Sequence, residues 1–195
     1  MDINCAENRH DRPSLGQKAI HGMDYRRAWQ AGGTYFFTVN LAVRSCTLLV
    51  DHVDHLRDVV RKVRQAHPFD ILAWVVMPDH LHAVWTMPEG DADYATRWML
   101  IKAGFSRGIA QGERIRTSRQ RKGERGIWQR RYWEHLIASE ADLWRHVDYV
   151  HINPVKHGYA ERATQWPYSS IHRYIRQGRL PPPTTAGDGF FAGER

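Results

Sequence analysis

The chain has 195 residues, of which 42% are hydrophobic and 11% aromatic, enough for one domain with a real core. A mean hydropathy of −0.60 and the lack of any 18-residue apolar run exclude a membrane-spanning helix, and Cys5 and Cys46, far apart and in no CxxC pair, exclude a thiolate zinc site. The formal charge of +7 favours a polyanionic partner, nucleic acid or acidic lipid, and it is concentrated: residues 102–131 hold ten Lys and Arg against only Glu113 and Glu124.

Residues 1–22 are polar, without apolar period or signal-peptide core, so a disordered tail and a cytoplasmic location are expected. "GGTYFFTVNLAV", 32–43, is rich in aromatic and β-branched residues after a Gly-Gly break and reads as a first strand. Val53, Leu56, Val59, Val60 and Val63 recur at helical spacing before Pro68 and predict a helix over 53–67. "DILAWVVM", 70–77, and "HLHAVWTM", 80–87, read as an antiparallel strand pair joined at Pro78-Asp79. Tyr94, Trp98, Ile101 and Phe105 predict a helix over 93–110, and 112–126 reads as a basic loop. "IWQRRYWEHLI", 127–137, is assigned to a fourth strand. Ser139 with Asp142 three residues later resembles a capping signal, so a helix should open at Glu140 and run toward Asn153-Pro154. The order β-α-β-β-α-β-α predicts an α+β fold, a ferredoxin-like sandwich with a four-stranded antiparallel sheet and helices on one face. One domain is expected over 23–177, with a flexible Pro- and Gly-rich tail over 178–195.

The chemistry-bearing feature is "VVMPDHLHAVW", 75–85. In a strand, residues i and i+2 share a face, so His80 and His82 stand side by side and can share one metal ion. The alternative is a polar pair at a sheet edge. On the helix from 140, Leu143, Val147 and Val150 form an apolar face, while Arg145, Tyr149 and Asn153 fall four apart on roughly the opposite side. An amide at 153 could complete a His-His-amide site with a tyrosine one turn away; otherwise Tyr149 is ordinary helix surface or core and Asn153 merely ends the helix.

These residues resemble a known family. "MPDHLHAVW" with "YVHINPVKHG" is similar to the single-tyrosine HUH transposases of small insertion sequences, and "YRRAW", "GGTYFFTVNL", "KGERGIWQRRYWEHLI" and "WPYSSIHRY" bring the resemblance closer to their REP-associated tyrosine transposase branch, over roughly residues 25–175. The resemblance implies the HUH endonuclease fold, a bacterial source and a metal-dependent single-strand DNA cleavage and joining activity at palindromes folded as hairpins. It implies Tyr149 as nucleophile, His80, His82 and Asn153 as metal ligands, and magnesium or manganese as the ion. It also implies a monomer, whereas the insertion-sequence relatives are dimers. Glu134 and His135 fall in a family-like block and are read as structural or DNA-contacting. For DNA contacts the basic and aromatic segment offers Arg119, Arg121, Lys122, Arg125, Arg130, Arg131, Trp128 and Trp133; the alternative is a solvated loop beside core aromatics. Two rival functions stay open: a hairpin-binding regulator that does not cut, and a hydrolase using water.

Overall fold

A computed structural model describes residues 29–112, 121 and 123–179; the expected tail over 1–22 and all but Gly178 and Arg179 of that over 178–195 lie outside them. In chain order the elements are β1 (Thr34–Asn40), a single turn α1 (Leu48–Asp51), α2 (Val53–Ala66), β2 (Asp70–Val76), β3 (His80–Thr86), α3 (Tyr94–Gly108), β4 (Trp133–Leu136), α4 (Glu140–Lys156), a 3₁₀ turn (Ala163–Gln165) and α5 (Ile171–Arg176). The strands form one antiparallel sheet in the order β2-β3-β1-β4, which agrees with the predicted α+β class.

The helices cover both faces of that sheet rather than one. Tyr35, Phe37, Leu81 and Trp85 point into a core with Leu56 and Val59 of α2 and Trp98 and Phe105 of α3. Phe36, Val75 and Val84 point the other way, under Val147, Tyr149 and Val150 of α4. Central strand β1 is apolar on the first side through Tyr35, Phe37 and Val39 but carries Thr34, Phe36, Thr38 and Asn40 on the second, a mixed row that reads as solvent-facing although α4 covers it. His80, His82 and Tyr149 lie on the second face.

The fourth strand is shorter than predicted. Only Trp133–Leu136 pairs regularly with β1, because residues 127–132 leave the ladder after an isolated bridge between Leu41 and Trp128. The capping signal for α4 holds: Ser139 Oγ accepts from the Asp142 N–H at 3.2 Å. The helix runs past Asn153-Pro154 to Lys156, since proline's φ is compatible with a helix and its ring removes only the bond to the Val150 carbonyl. It stops at Gly158, whose φ of +72° is a conformation glycine adopts freely, with the Gly158 N–H bonded back to Val155 O at 3.0 Å. This reversal returns the chain toward β3.

Helix α4 is tied to the β2 edge through His151, whose Nε2 lies 2.8 Å from Ser170 Oγ, while the Trp74 N–H donates to the same oxygen at 2.9 Å. Burial, reinforced by the nearby Arg173 and His172, pushes the His151 pKa down to about 4. Between that value and the ordinary 6.5, the unfolded chain holds a proton that the folded chain refuses, so stability falls as pH falls through this window. Urea unfolding at about pH 7.5 and about pH 4.5 should show roughly 2–3 kcal/mol of loss from this group, and His151→Gln should flatten that part of the pH dependence.

Candidate active site

His80 and His82 leave the same face of β3, opposite Asn40 and Thr38 of β1, and both are buried. Each ring is held by its Nδ1. His82 Nδ1 lies 2.9 Å from Thr38 Oγ1, and His80 Nδ1 lies 2.6 Å from Asp79 Oδ1. The ionised Asp79 only accepts, so His80 Nδ1 donates and its Nε2 carries the lone pair, the arrangement that orients a metal-ligating imidazole, while Thr38 sets the orientation of the His82 ring. Burial, with the charges of His80 and His157, drives the His82 pKa well below 6.5, so its ring is neutral. Its Nε2 is buried without a hydrogen-bond partner among the described residues.

Asp79 is itself fixed. Burial raises its pKa, but the hydrogen bond and charge of His80 and the charge of Arg44 outweigh burial and hold it below the ordinary value; Arg44 Nε sits 2.5 Å from Asp79 Oδ2. The carboxylate therefore stays ionised and fixes the His80 tautomer.

Helix α4 brings Tyr149 onto this pair. Its ring centroid lies 5.1 Å from that of His82 and 5.7 Å from Phe36, edge-on to both, and Lys156 Nζ lies 4.6 Å from it on the face of the ring. Asn153, one turn further along the helix, is 1% exposed, and neither atom of its amide has a partner among the described residues. A buried amide with both ends unsatisfied is costly unless something else bonds it. The unpaired His82 Nε2 and Asn153 oxygen, with the His80 Nε2, are ligand atoms of the kinds that could hold a divalent ion.

Tyr149 and Asn153 do not lie opposite the apolar face of α4 as the helical wheel predicts. Both are buried, whereas Arg145 on the same row is largely exposed. The helix is covered along two stripes because the sheet packs beneath it and α5 flanks it, and a wheel sees only residue polarity.

Other site residues escape sequence reasoning. The His157 ring is 5.0 Å from that of His80, carried there as the C-cap of α4 one turn after Asn153, and Thr38 reaches His82 only through strand register. Asp79 had a visible signal, its adjacency to the histidine pair.

A second group able to hold a metal lies at the β4–α4 junction, where donor atoms of His135, Asp142 and His146 fall within 4.8 Å of one another. These donors are already engaged: His135 Nε2 is 2.9 Å from Asp142 Oδ2, His146 Nδ1 is 2.9 Å from the Asp142 carbonyl, and the Ala138 N–H donates to Asp142 Oδ2 at 3.0 Å. Burial pushes the Asp142 pKa up, but the bonds from Ala138 and His135 prevail and lower it. Glu134 faces the other side of the sheet, opposite Phe37, within 3.4 Å of the Tyr94 hydroxyl.

The structure sorts the basic and aromatic candidates. Trp128 is buried with its Nε1–H on the Lys102 carbonyl at 3.2 Å, so it is a core residue. The Arg125 guanidinium bonds the carbonyls of Ser106, Ile109 and Ala110 and closes the end of α3. Arg130 pairs with Glu124 at 2.8 Å and keeps an exposed flank. Arg121 and Arg131 are exposed, as is Trp133 at 40%. Arg119 and Lys122 lie outside the described residues. Of the described members of this group, Trp133 shares the sheet face of the histidines, with Thr38 as the cross-strand neighbour between it and His82.

No family model matches the chain. The REP-associated tyrosine transposase of Escherichia coli K12 is 45% identical over 174 residues, covering 88% of this chain and 97% of the relative. A Haemophilus influenzae Rd protein, whose name places it provisionally in the same family, is 42% identical over 159 residues, covering 81% and 90%. The solved structure of a REP-associated tyrosine transposase bound to a REP hairpin matches with a TM-score of 0.73 and 44% identity, covering 89% of this chain and 98% of that one. With the histidine pair, the tyrosine and the four-stranded sheet in place, and with this identity over nearly the whole length of these relatives, the chain belongs to the REP-associated tyrosine transposases.

Proposed function

We propose that this protein is a metal-dependent single-stranded DNA endonuclease and strand transferase that cuts beside palindromic hairpins through a covalent 5′-phosphotyrosine. The observation that carries the reading is the Tyr149 ring 5.1 Å from His82, whose Nε2 is left without a partner among the described residues. The solved relative bound to a REP hairpin supports the substrate class. Both histidines and the tyrosine come from one chain, so a monomer carries a complete site.

His80, His82 and Asn153 would hold a divalent ion, which would supply Lewis-acid polarisation of the scissile phosphate. Asp79 holds the His80 imidazole in the tautomer that presents Nε2, and Thr38 holds the orientation of the His82 ring. Tyr149 Oη, having lost its proton to solvent, bonds to phosphorus as the bond from phosphorus to the 3′ oxygen breaks, and that oxygen takes up a proton to become a free 3′-hydroxyl. The Lys156 ammonium, lying against the Tyr149 ring, favours the electron-rich phenolate. The phosphotyrosine keeps the energy of the broken bond, so a 3′-hydroxyl can reverse the step and join strands without a nucleotide cofactor.

Incubation with single-stranded hairpin DNA from repeats beside its own gene, with manganese or magnesium, should yield a shortened strand ending in a 3′-hydroxyl and a protein–DNA adduct that mass spectrometry maps to Tyr149. Binding without an adduct under either metal would overturn the proposal in favour of a non-cleaving regulator. Cleavage without an adduct would assign the attack to water.

A further inference from the structure

We infer that Trp133 and Tyr159 are stacking platforms for the two nucleobases that flank the scissile phosphate, one on each side of the histidine pair. This rests on the cleavage reading above and adds to it the path of the strand.

On one side, Trp133 lies on edge strand β4, in the same cross-strand row as Thr38 and His82. Two strand spacings, about 10 Å, therefore separate it from the ligand. It ends a stack of three rings: Trp133 and His135 are parallel to within 4° at 5.9 Å, and His135 and His146 lie within 19° at 4.7 Å. Asp142 clamps the inner rings, bonding His135 through its carboxylate and His146 through its carbonyl. Phe36 joins the stack to the metal site, 5.6 Å from both Trp133 and His82. The stack thus has a fixed inner end and an exposed outer one.

On the other side, the reversal at Gly158 sends the chain back along the histidines. The rings of His80 and His157 are 5.0 Å apart, and Tyr159 stacks on His157 within 26° at 6.3 Å. Tyr159 is 46% exposed and leans on Trp166, 5.6 Å away, whose Nε1–H is anchored to the Val76 carbonyl at 2.9 Å.

Single exposed aromatics need no explanation. These two are set apart by position, because each terminates a row of rings that runs without a break to His82 or His80. A single strand lying with its phosphate at the histidines must carry its neighbouring bases outward along those rows, and base–aromatic stacking is tolerant of sequence. Trp29, Met99 and Trp144, also exposed, have no such connection: Trp29 stacks on Tyr94 under the opposite face, and Trp144 reaches back to Glu140 along its own helix.

The test is an abasic scan of the single-stranded segment of the hairpin DNA, read by fluorescence anisotropy with EDTA present so that binding is measured without turnover. Trp133→Ala and Tyr159→Ala should each weaken binding of the intact DNA roughly ten-fold, and Trp133→Phe and Tyr159→Phe should restore most of it. Each alanine penalty should vanish on DNA made abasic at one position, and the two positions should lie on opposite sides of the cleaved phosphate. Alanine variants that bind like the wild type, penalties that persist at every abasic position, or penalties that vanish at one shared position would each overturn the inference while leaving hairpin binding intact. Failure of the wild type to bind any hairpin would overturn the underlying reading as well.

Discussion

Tyr149→Phe should abolish cleavage, by on the order of 10⁴-fold or more, while hairpin affinity changes by less than about two-fold. The phenylalanine ring retains the edge-on contacts with His82 and Phe36 and the facing Lys156. Only the oxygen that bonds to phosphorus is gone. Tyr159 stands one ring further out, stacked on His157, which in turn contacts His80. Single-turnover cleavage and anisotropy on the same DNA measure the two quantities. A variant that still cut at a tenth of the wild-type rate would remove Tyr149 from the chemistry; one that lost binding in step with cleavage would make it a DNA contact.

His82→Ala should eliminate tight binding of manganese, followed by electron paramagnetic resonance of the free ion, and metal-dependent cleavage should go with it. The reason is positional: His82 Nε2 is a buried nitrogen without a partner among the described residues, beside the Tyr149 ring, and Thr38 holds its other nitrogen. Asp79→Ala should weaken the ion by roughly 10- to 100-fold, since it removes the acceptor 2.6 Å from His80 Nδ1 but no ligand. Asp79→Asn, which retains an oxygen but no charge, should fall between Asp79→Ala and the wild type. Retention of full manganese affinity in His82→Ala, with loss in His135→Ala, would move the site to the group at the β4–α4 junction.

The histidine pair shows how local information can suffice. Strand period alone puts His80 and His82 on one face, and the flanking "VVMP" and "AVW" are apolar enough to bury that strand. The pairing of Tyr149 with Asn153 is also local, because four residues are one helical turn. Their direction was not legible: polarity on a helical wheel places them away from the apolar stripe, yet α4 is covered along two stripes. Composition was least informative for the basic segment, where Arg125 and Trp128 have the residue types of a DNA contact but donate to carbonyls within and just after α3.

By itself the sequence determined the antiparallel α+β class, the opening of α4 at Ser139 and which residue types share a face, since each depends on a period or cap a few residues long. The shared face of His82 and Trp133, the approach of His157 to His80 and the closure of α4 over the second side of the sheet were decided by tertiary structure alone. Those contacts join residues far apart in the chain through strand register and the docking of α4 on the sheet, and no local preference encodes which distant surface a buried side chain will meet.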